Sequence, residues 1–239
     1  MPDYGQFCTV ARGAEIFGEV WTPLIVRELL CGSRRFNDIR RGVPRMSPAL
    51  LVKRLRKLEQ MGVVRRDKSA EGWAYQLTQA GEELRPIVVS MGHWGARWIG
   101  SRLKREQLDA GFLMWDIRRF ARLDEFPKRR RVVIQFVFSD ARAGERTWWL
   151  VVEDGVADLC RDDPGHEITV LLRSTVRALT EVWTGDSSPK IECTSGRLQV
   201  QGGGREGADL WRWLGRSMFA ATRETRPSAL SAPAAPQRP

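Results

Sequence analysis

One stretch, Ser47 to Met61, constrains this chain more than any other, because its residues predict a short, capped helix with one buried side. Ser47 is a favoured N-cap residue, and Pro48 occupies the first helical position, where its missing N–H costs nothing. Gly62 follows as a C-terminal stop. Leucines at intervals of four and three residues predict one buried stripe, formed by Leu51, Leu55 and Leu58.

The opposite side of this helix is small or basic. At about 100° per residue it presents Ala49, Lys53, Arg56 and Gln60, with Val52 and Lys57 on the flanks. A short helix with a leucine inner face and a basic outer face is typical of a recognition helix in a DNA major groove. A solvated basic face on an ordinary surface helix is the alternative.

Basic charge is concentrated around this helix. From Arg34 to Arg66 the chain has eleven basic and two acidic residues, a formal charge of +9, whereas the whole chain of 239 residues carries +10. A concentrated basic patch on an otherwise balanced protein indicates a polyanionic partner. This observation favours the recognition-helix interpretation over the solvated face.

The remaining composition excludes several classes of protein. The four cysteines form no C-x-x-C pair and the two histidines lie far apart, so we expect no metal site and no cofactor. No signal pattern and no long apolar run is present, so we expect a cytoplasmic protein without a membrane partner.

Helical and strand patterns on both sides of this stretch complete a helix-turn-helix with a wing. Helical patterns cover residues 8–18, 22–31 and 36–41, and strand patterns cover residues 63–66 and 74–77. Helix, tight turn, helix is the helix-turn-helix spacing. A hairpin directly after a recognition helix is a wing, which usually places basic residues over adjacent phosphates.

A long helix is expected to close this region. Thr78 is its predicted N-cap, and Pro86 should kink the helix or end its first turn. Trp94 and Trp98 share one stripe of it. They are candidates for a dimer or interdomain contact, and plain core packing is the alternative.

Residues 8–95 resemble the HxlR-type family of winged helix-turn-helix regulators. The resemblance rests on Cys8 with Val10-Ala11, on Trp21-Thr22-Pro23-Leu24-Ile25, on Arg34-Arg35-Phe36-Asn37-Asp38-Ile39, on Gly62-Val63-Val64-Arg65-Arg66 and on Tyr75-Gln76-Leu77-Thr78. It implies a homodimer built from the first and last helices, with two recognition helices in successive major grooves of double-stranded DNA. Some relatives sense oxidants or electrophiles through the cysteine at the position of Cys8, which makes Cys8 a redox candidate; a buried structural thiol is the alternative.

The predicted DNA contacts fall into two groups. Base edges are assigned to Ser47, Ala49, Val52 and Lys53. Phosphates, which give affinity without sequence information, are assigned to Arg34, Arg35, Arg56, Lys57, Arg65, Arg66 and Lys68.

From residue 102 onwards the pattern becomes that of an α+β domain. Helical stretches are expected within 102–126, at 175–183 and at 209–221, and extended segments at 131–138, 147–153, 156–160, 168–173, 191–193 and 198–201. From residue 226 the composition is Pro, Ala and Ser without a pattern, which predicts a disordered tail.

This second half resembles the sterol-carrier-protein-like domain. The resemblance rests on Trp-Trp-Leu-Val-Val at 148–152, Val-Trp-Thr-Gly at 182–185 and Gly-Arg-Leu-Gln-Val-Gln-Gly at 196–202. It implies a sheet and helices around an apolar tunnel, and such a domain joined to an HxlR-type domain is an architecture found among bacterial regulators. The candidate lining residues for an apolar small-molecule effector are Phe136, Phe138, Trp148, Trp149 and Trp183. The alternative is that these aromatics fill the core.

The sequence contains no motif of an enzyme. It has no nucleophile elbow, no H-E-x-x-H, no Walker glycines and no dinucleotide fingerprint, so no catalytic residue is assigned.

From these patterns and resemblances we predict an α+β protein with a winged helix-turn-helix DNA-binding domain at 1–101, a sterol-carrier-like domain at 102–225 and a tail at 226–239. The predicted function is a DNA-binding transcriptional regulator tuned by an apolar ligand. The alternative is a hydrophobic-ligand carrier that uses the winged helix as a dimerisation scaffold.

Overall fold

A computed structural model describes residues 4–69, 72–99, 103–203 and 206–225. The chain forms two compact units, one up to Met91 and one from Gly92 onwards. Together they make a mixed α+β protein whose N-terminal part is a winged helix-turn-helix. The predicted domain boundary at 101–102 and the predicted disordered tail, residues 226–239, lie outside the described residues.

The first unit contains helices around one hairpin. Its elements are α1 (Thr9–Phe17), α2 (Thr22–Leu30), α3 (Phe36–Gly42), α4 (Pro48–Gln60), β1 (Val64–Ser69), β2 (Gly72–Leu77), α5 (Gln79–Glu82) and the first part of α6 (Arg85–Trp98). The boundary between the units falls within α6. The predicted helices and the hairpin are therefore present, with strands longer than the pattern indicated.

Helix α4 forms for the local reasons that its sequence predicts. The Ser47 hydroxyl oxygen accepts from the Leu50 amide at 3.3 Å, and Pro48 occupies the first turn. Gly62 adopts a left-handed φ of 70°, which ends the helix. The leucine stripe is buried in a core that it shares with α2, α3 and the hairpin, including Leu51, Leu55, Leu58, Ile25, Leu29, Ile39 and Val64.

A buried carboxylate fixes the turn between α2 and α3. Glu28 is fully buried, and its carboxylate accepts from Arg27 Nη2 at 2.7 Å and from the Ser33 hydroxyl at 3.2 Å. Arg27 Nη2 also donates to the Gly42 carbonyl at 2.8 Å. A Cβ on Gly42 would overlap the Glu28 carboxylate, so this position requires glycine.

Two details of this unit differ from the sequence prediction. The pair Thr22-Pro23 predicts a capping residue followed by a proline at the first helical position, but the N-cap of α2 is Trp21, in a left-handed conformation with φ of 80°. The hydroxyl oxygen of Thr78 accepts from Gly81 N at 3.2 Å and caps only the short α5, because Pro86 begins a new helix and cannot continue the old one.

The second unit is built on a five-stranded sheet. Its elements are a 3-10 turn (Arg105–Gln107), α7 (Ala110–Phe120), a 3-10 turn (Leu123–Glu125), β3 (Val132–Phe138), β4 (Thr147–Glu153), β5 (Val156–Cys160), β6 (Val170–Ser174), α8 (Val176–Thr184), α9 (Pro189–Thr194), β7 (Leu198–Gly202), α10 (Glu206–Leu214) and α11 (Ala220–Glu224). The strand order is β5-β4-β3-β6-β7. Strands β3 and β6 pair in parallel, and all other neighbours are antiparallel.

One face of this sheet carries the core of the unit. Side chains of β3 and β4 pack there with residues from α7, α8 and α10, including Ile134, Phe136, Leu150, Met114, Leu179, Leu210 and Trp213. Alternation along each strand places the remaining side chains on the other face. The stacked rings of Phe126 and Trp213, with centroids 5.1 Å apart, lie within this core region.

Two segments of the second unit were predicted wrongly. Residues 191–193 belong to helix α9 and are not extended, because Ser188 caps that helix through the Ile191 amide and Pro189 starts it. The single helix expected at 209–221 is two helices, since Gly215 adopts a left-handed φ of 68° between them.

Among the described residues, no helix combines the length and the apolarity that crossing a bilayer requires.

Candidate nucleic-acid interface

The outer face of α4 is the centre of the candidate interface. Ala49, Lys53 and Arg56 are exposed and Val52 is half-buried, as the helical spacing predicted. The hydroxyl oxygen of Ser47 accepts the capping hydrogen bond, so its proton remains available for donation. A surface depression of about 690 Å³ runs along this face, lined by Glu19, Ala49, Val52, Lys53, Arg54, Arg56, Lys57, Gln60 and Met61.

Two cations of α4 are available to a ligand. Within the described part of the chain, Lys53 and Arg56 have no hydrogen-bonding or ion-pairing partner. Both lie on the exposed face, one helical turn apart. A polyanion that reaches this face meets two cations that need not first break an internal contact.

Glu19 holds two other cations of α4. Its carboxylate forms an ion pair with Arg54 and, at 2.7 Å, with Lys57 Nζ. Partial burial raises the pKa of Glu19, but the hydrogen bond from Lys57 and the charges of Arg54 and Lys57 outweigh it, so the pKa lies below its ordinary value. A phosphate that binds Lys57, one of the predicted phosphate contacts, therefore competes with the Glu19 carboxylate.

The Arg34 and Arg35 side chains contact backbone carbonyls. Arg34 Nη1 donates to the Leu29 carbonyl at 2.8 Å, and Arg35 Nη1 donates to the Gly72 carbonyl at 3.0 Å. Their backbone also extends the hairpin, because the Tyr75 amide donates to the Arg34 carbonyl at 2.8 Å. These two arginines tie the helix-turn-helix to the wing.

The wing carries the other predicted phosphate contacts. Arg65 Nη2 donates to Gln76 Oε1 at 2.8 Å, and Lys68 is exposed near the end of β1. The guanidinium of Arg66 stacks on the ring of Trp73, 4.3 Å from its centroid. The predicted basic residues of the wing thus lie in the same unit as α4, and Arg66 contacts that helix through Glu59.

Sequence reasoning missed Glu19 and Trp73. Glu19 is 35 residues from Arg54, and no local pattern links the two. Trp73 did have a signal, since an aromatic residue in one strand of a hairpin can stack on an arginine two positions away across the pair.

The residues predicted for a dimer contact are exposed. Trp94 and Trp98 have 59% and 44% of their surface accessible, and Ile87 and Met91 precede them on the same stripe of α6 with 49% and 52%. Val10 of α1 is 77% exposed. Exposed large apolar side chains at helical spacing are typical of a surface that another chain covers.

The five aromatics predicted to line a ligand site are all buried. Phe136, Phe138, Trp148 and Trp183 belong to the core cluster of the second unit. Trp149 is buried on the other face of the sheet, because side chains alternate along β4. Trp148 Nε1 donates to the Glu145 carbonyl at 2.8 Å, and Trp183 Nε1 to Asp116 Oδ2 at 2.9 Å. Their ligand-lining role stays a prediction.

None of the four cysteines forms a disulfide in the structure. Cys8, the N-cap residue of α1, is exposed. Burial, together with Asp158 and Asp162, raises the pKa of the Cys160 thiol, and burial with Glu192 raises that of Cys193. In the part of the chain that the structure describes, no group of three or more His, Cys, Asp or Glu side chains is arranged to hold a metal ion.

The first part of the chain is similar to known proteins. Residues 16–103 match a protein family described as HxlR-like helix-turn-helix. The chain is 38% identical over 91 residues to YvaP of Bacillus subtilis strain 168, named as an uncharacterized HTH-type transcriptional regulator, a match that covers 37% of this chain and 84% of that protein. It is also 38% identical over 96 residues to Rv3095 of Mycobacterium tuberculosis strain H37Rv, named in the same way, which covers 38% of this chain and 59% of that protein.

Among solved structures, the chain matches the redox regulator HypR in its reduced form. The two chains are 32% identical over a match that covers 37% of this chain and 90% of the HypR chain, and they superpose with a TM-score of 0.35. The family match ends at residue 103, before the first strand of the second unit.

Proposed function

The chain belongs to the HxlR-like helix-turn-helix family, and on that premise we propose that its first unit binds double-stranded DNA as a transcriptional regulator. The observation that carries the proposal is a capped helix, α4, whose exposed face presents the cations Lys53 and Arg56, which have no partner among the described residues, beside a basic wing. DNA binds to such surfaces largely through its phosphates.

The residues divide by the part of DNA that they reach. We propose that Ser47, Ala49, Val52 and Lys53 face the base edges, because they lie along the exposed side of α4 near its N-terminus. Arg56, Arg65, Arg66 and Lys68 contact phosphates and position the helix. Lys57 joins them in competition with its ion pair to Glu19, and Arg34 and Arg35 act through their contacts with the wing.

We also propose that the regulator is a homodimer. Exposed apolar residues of α1 and α6 support the proposal, since a second copy would cover Val10, Trp94 and Trp98. A twofold dimer binds two half-sites about 34–36 Å apart, one helical turn of DNA, so the operator should be a palindrome.

A salt series tests the DNA-binding proposal. The full-length protein should bind a fluorescent duplex of random sequence with an affinity that falls steeply as salt rises. Lys53→Ala should weaken binding to a preferred sequence by about 1–3 kcal/mol and relax the preference at one base pair. Lys190→Ala, which removes an exposed cation from α9 of the second unit, is the matched control and should bind as the unmodified protein does. Salt-independent or absent binding would contradict the proposal.

For the second unit we keep the proposal of an apolar effector, which rests on its resemblance to a sterol-carrier-like domain. Because Phe136, Phe138, Trp148 and Trp183 fill the core, a ligand has to enter by displacing some of these side chains. The test is to titrate fatty acids, sterols and aromatic acids while following tryptophan fluorescence and DNA affinity together. A ligand regulates only if it binds the DNA-competent and incompetent states with different affinities. No response of either signal would leave this unit as an interaction module.

The rival proposal, a hydrophobic-ligand carrier with a winged helix used only for dimerisation, predicts a different result in the same two experiments. It requires ligand binding without salt-dependent DNA binding. The charge of +9 between Arg34 and Arg66 argues against it, because a scaffold has no need for that many cations.

A further inference from the structure

The wing contains a half-exposed tryptophan beside its basic residues. In the hairpin, Trp73 of β2 is paired with Lys68 of β1, and Arg66 with Tyr75. Side chains alternate along a strand, so Trp73 and Tyr75 share one face of the hairpin with Arg66. Tyr75 packs against the core of the first unit, whereas Trp73, further from the core, is 48% exposed.

Trp73 and α4 hold the Arg66 guanidinium from two sides. The guanidinium carbon lies 4.3 Å from the centroid of the Trp73 ring, and Arg66 Nε lies 3.8 Å from Oε1 of Glu59 on α4. The start of the strand that carries Trp73 is itself fixed, because Arg35 Nη1 donates to the Gly72 carbonyl at 3.0 Å. The arginine is therefore held at the junction of the wing and α4 before any ligand arrives.

The contact with Trp73 leaves the N–H donors of Arg66 accessible to a phosphate. An aromatic ring contacts the face of a guanidinium, while its N–H donors lie in the plane and point outward from the edge. Those edges match the paired oxygens of a phosphate. Glu59 contacts the edge only at 3.8 Å, with both side chains about one-third exposed, so a phosphate can replace it at small cost.

We propose that Trp73 is a positioning residue that orients Arg66 towards a phosphate of the DNA backbone, an inference that rests on the proposed DNA-binding function. An unrestrained arginine loses rotamer freedom when it binds, and the ring removes part of that cost in advance. Because phosphates carry no sequence information, the contribution of Trp73 is the same for every DNA sequence.

Salt dependence separates positioning from direct contact. The experiment measures binding of the full-length protein to a random-sequence duplex by fluorescence anisotropy at several salt concentrations. Arg66→Ala should make the slope of log K against log salt shallower by about 0.9, because one phosphate contact is lost. Trp73→Leu should weaken binding about two- to fivefold at every salt concentration without changing the slope. The phosphate contact still forms, but Arg66 is no longer oriented for it before DNA binds.

Two further variants complete the test. Trp73→Phe keeps an aromatic face and should restore most of the affinity that Trp73→Leu loses. In an Arg66→Ala background, Trp73→Leu should have no further effect, because the residue that it positions is gone. If Trp73→Leu still weakens binding in that background, the ring contacts DNA directly and the inference is wrong.

A measurement on the unbound protein covers the case in which a variant folds poorly. The Arg66 Nε–H resonance of the unmodified protein should show the upfield ring-current shift of a stacked guanidinium, and the absence of that shift would overturn the inference.

Failure of the inference and failure of the proposed function are distinguishable. If the unmodified protein binds DNA with steep salt dependence but Trp73→Leu matches it, only the role of Trp73 is refuted; if the unmodified protein does not bind, the proposed function fails.

Discussion

Replacing Glu19 with glutamine should make the protein less stable and, at the same time, a stronger binder of DNA. The carboxylate pairs with Arg54 and Lys57, whose side chains are only 14% and 19% exposed. Exposed ion pairs contribute about 0.2–1 kcal/mol each. Since Glu19→Gln also leaves Arg54 partly buried without its charged partner, we expect a loss of about 1–2 kcal/mol in the free energy of unfolding.

The gain in DNA affinity follows from the release of Lys57. In the unmodified protein this ammonium lies 2.7 Å from Glu19 Oε2, so a phosphate that binds it competes with an existing ion pair. With glutamine, one more cation is available, and the slope of log K against log salt should steepen by up to about 0.9. At about 0.1 M salt that change amounts to an affinity gain of up to about eightfold.

Urea unfolding and anisotropy titrations of the same preparations provide the assay. Glu83→Gln removes an exposed carboxylate from the first unit away from α4, and it should change neither quantity appreciably. If Glu19→Gln lowers DNA affinity, the ion pairs of Glu19 with Arg54 and Lys57 contribute to the binding surface, and our reasoning about Lys57 is wrong.

The stability difference should also depend on pH. Because the pKa of Glu19 is lowered in the folded state, its ion pairs stabilise the fold above the ordinary carboxyl pKa, and this contribution disappears as the pH falls through the lowered value. The unfolding free energies of Glu19→Gln and the unmodified protein should therefore converge in acid. A difference that persists unchanged to the lowest pH at which the protein folds would contradict the ion-pair explanation.

Three other features can be tested separately: the close packing around Gly42, the exposed tryptophans of α6 and the different environments of the cysteines. Gly42→Ala should lower the unfolding free energy by about 2–4 kcal/mol in thermal or urea melts because its Cβ would overlap the Glu28 carboxylate, whereas Gly13→Ala, with open space around it in α1, should be neutral or stabilising. Trp94→Asp combined with Trp98→Asp should convert the proposed dimer into monomers in sedimentation, and an unmodified protein that is monomeric at micromolar concentration would refute the dimer. In mass spectrometry after brief alkylation at pH 7, the exposed Cys8 should be modified before Cys160, whose raised pKa keeps its thiol protonated; the opposite order would contradict the assigned environments.

Local signals explain which parts of the fold were predictable. Helix α4 was predictable because Ser47, Pro48 and Gly62 mark its ends and its leucines mark its buried side. Strands β4 and β5 have the predicted bounds because apolar runs meet turn residues at Asp154 and Gly155. In each case the residues that decide the structure lie within a few positions of it.

Contacts between distant residues explain the rest. Nothing near Glu19 indicates that it pairs with Arg54 and Lys57, because packing of the loop before α2 against α4 brings them together. The helix α9 was missed for a different reason: its cap, Ser188 with Pro189, was present in the sequence but was outweighed by a short apolar pattern. Within the candidate interface, the exposure of α4 could be predicted and the restraint of Lys57 could not. The restraint of Arg66 had one local signal, Trp73 in the adjacent strand of the hairpin.

A selection of genomic DNA fragments by the purified protein, run in parallel with Lys53→Ala, tests most directly whether α4 reads DNA. We expect the unmodified protein to enrich a palindromic motif with half-sites about one helical turn apart, because two copies of α4 enter successive major grooves. The Lys53→Ala protein should recover the same motif with the preference lost at one symmetric pair of positions. Enrichment of no motif, or a Lys53→Ala motif identical to the original at every position with unchanged affinity, would contradict the assignment of α4 as the helix that reads DNA.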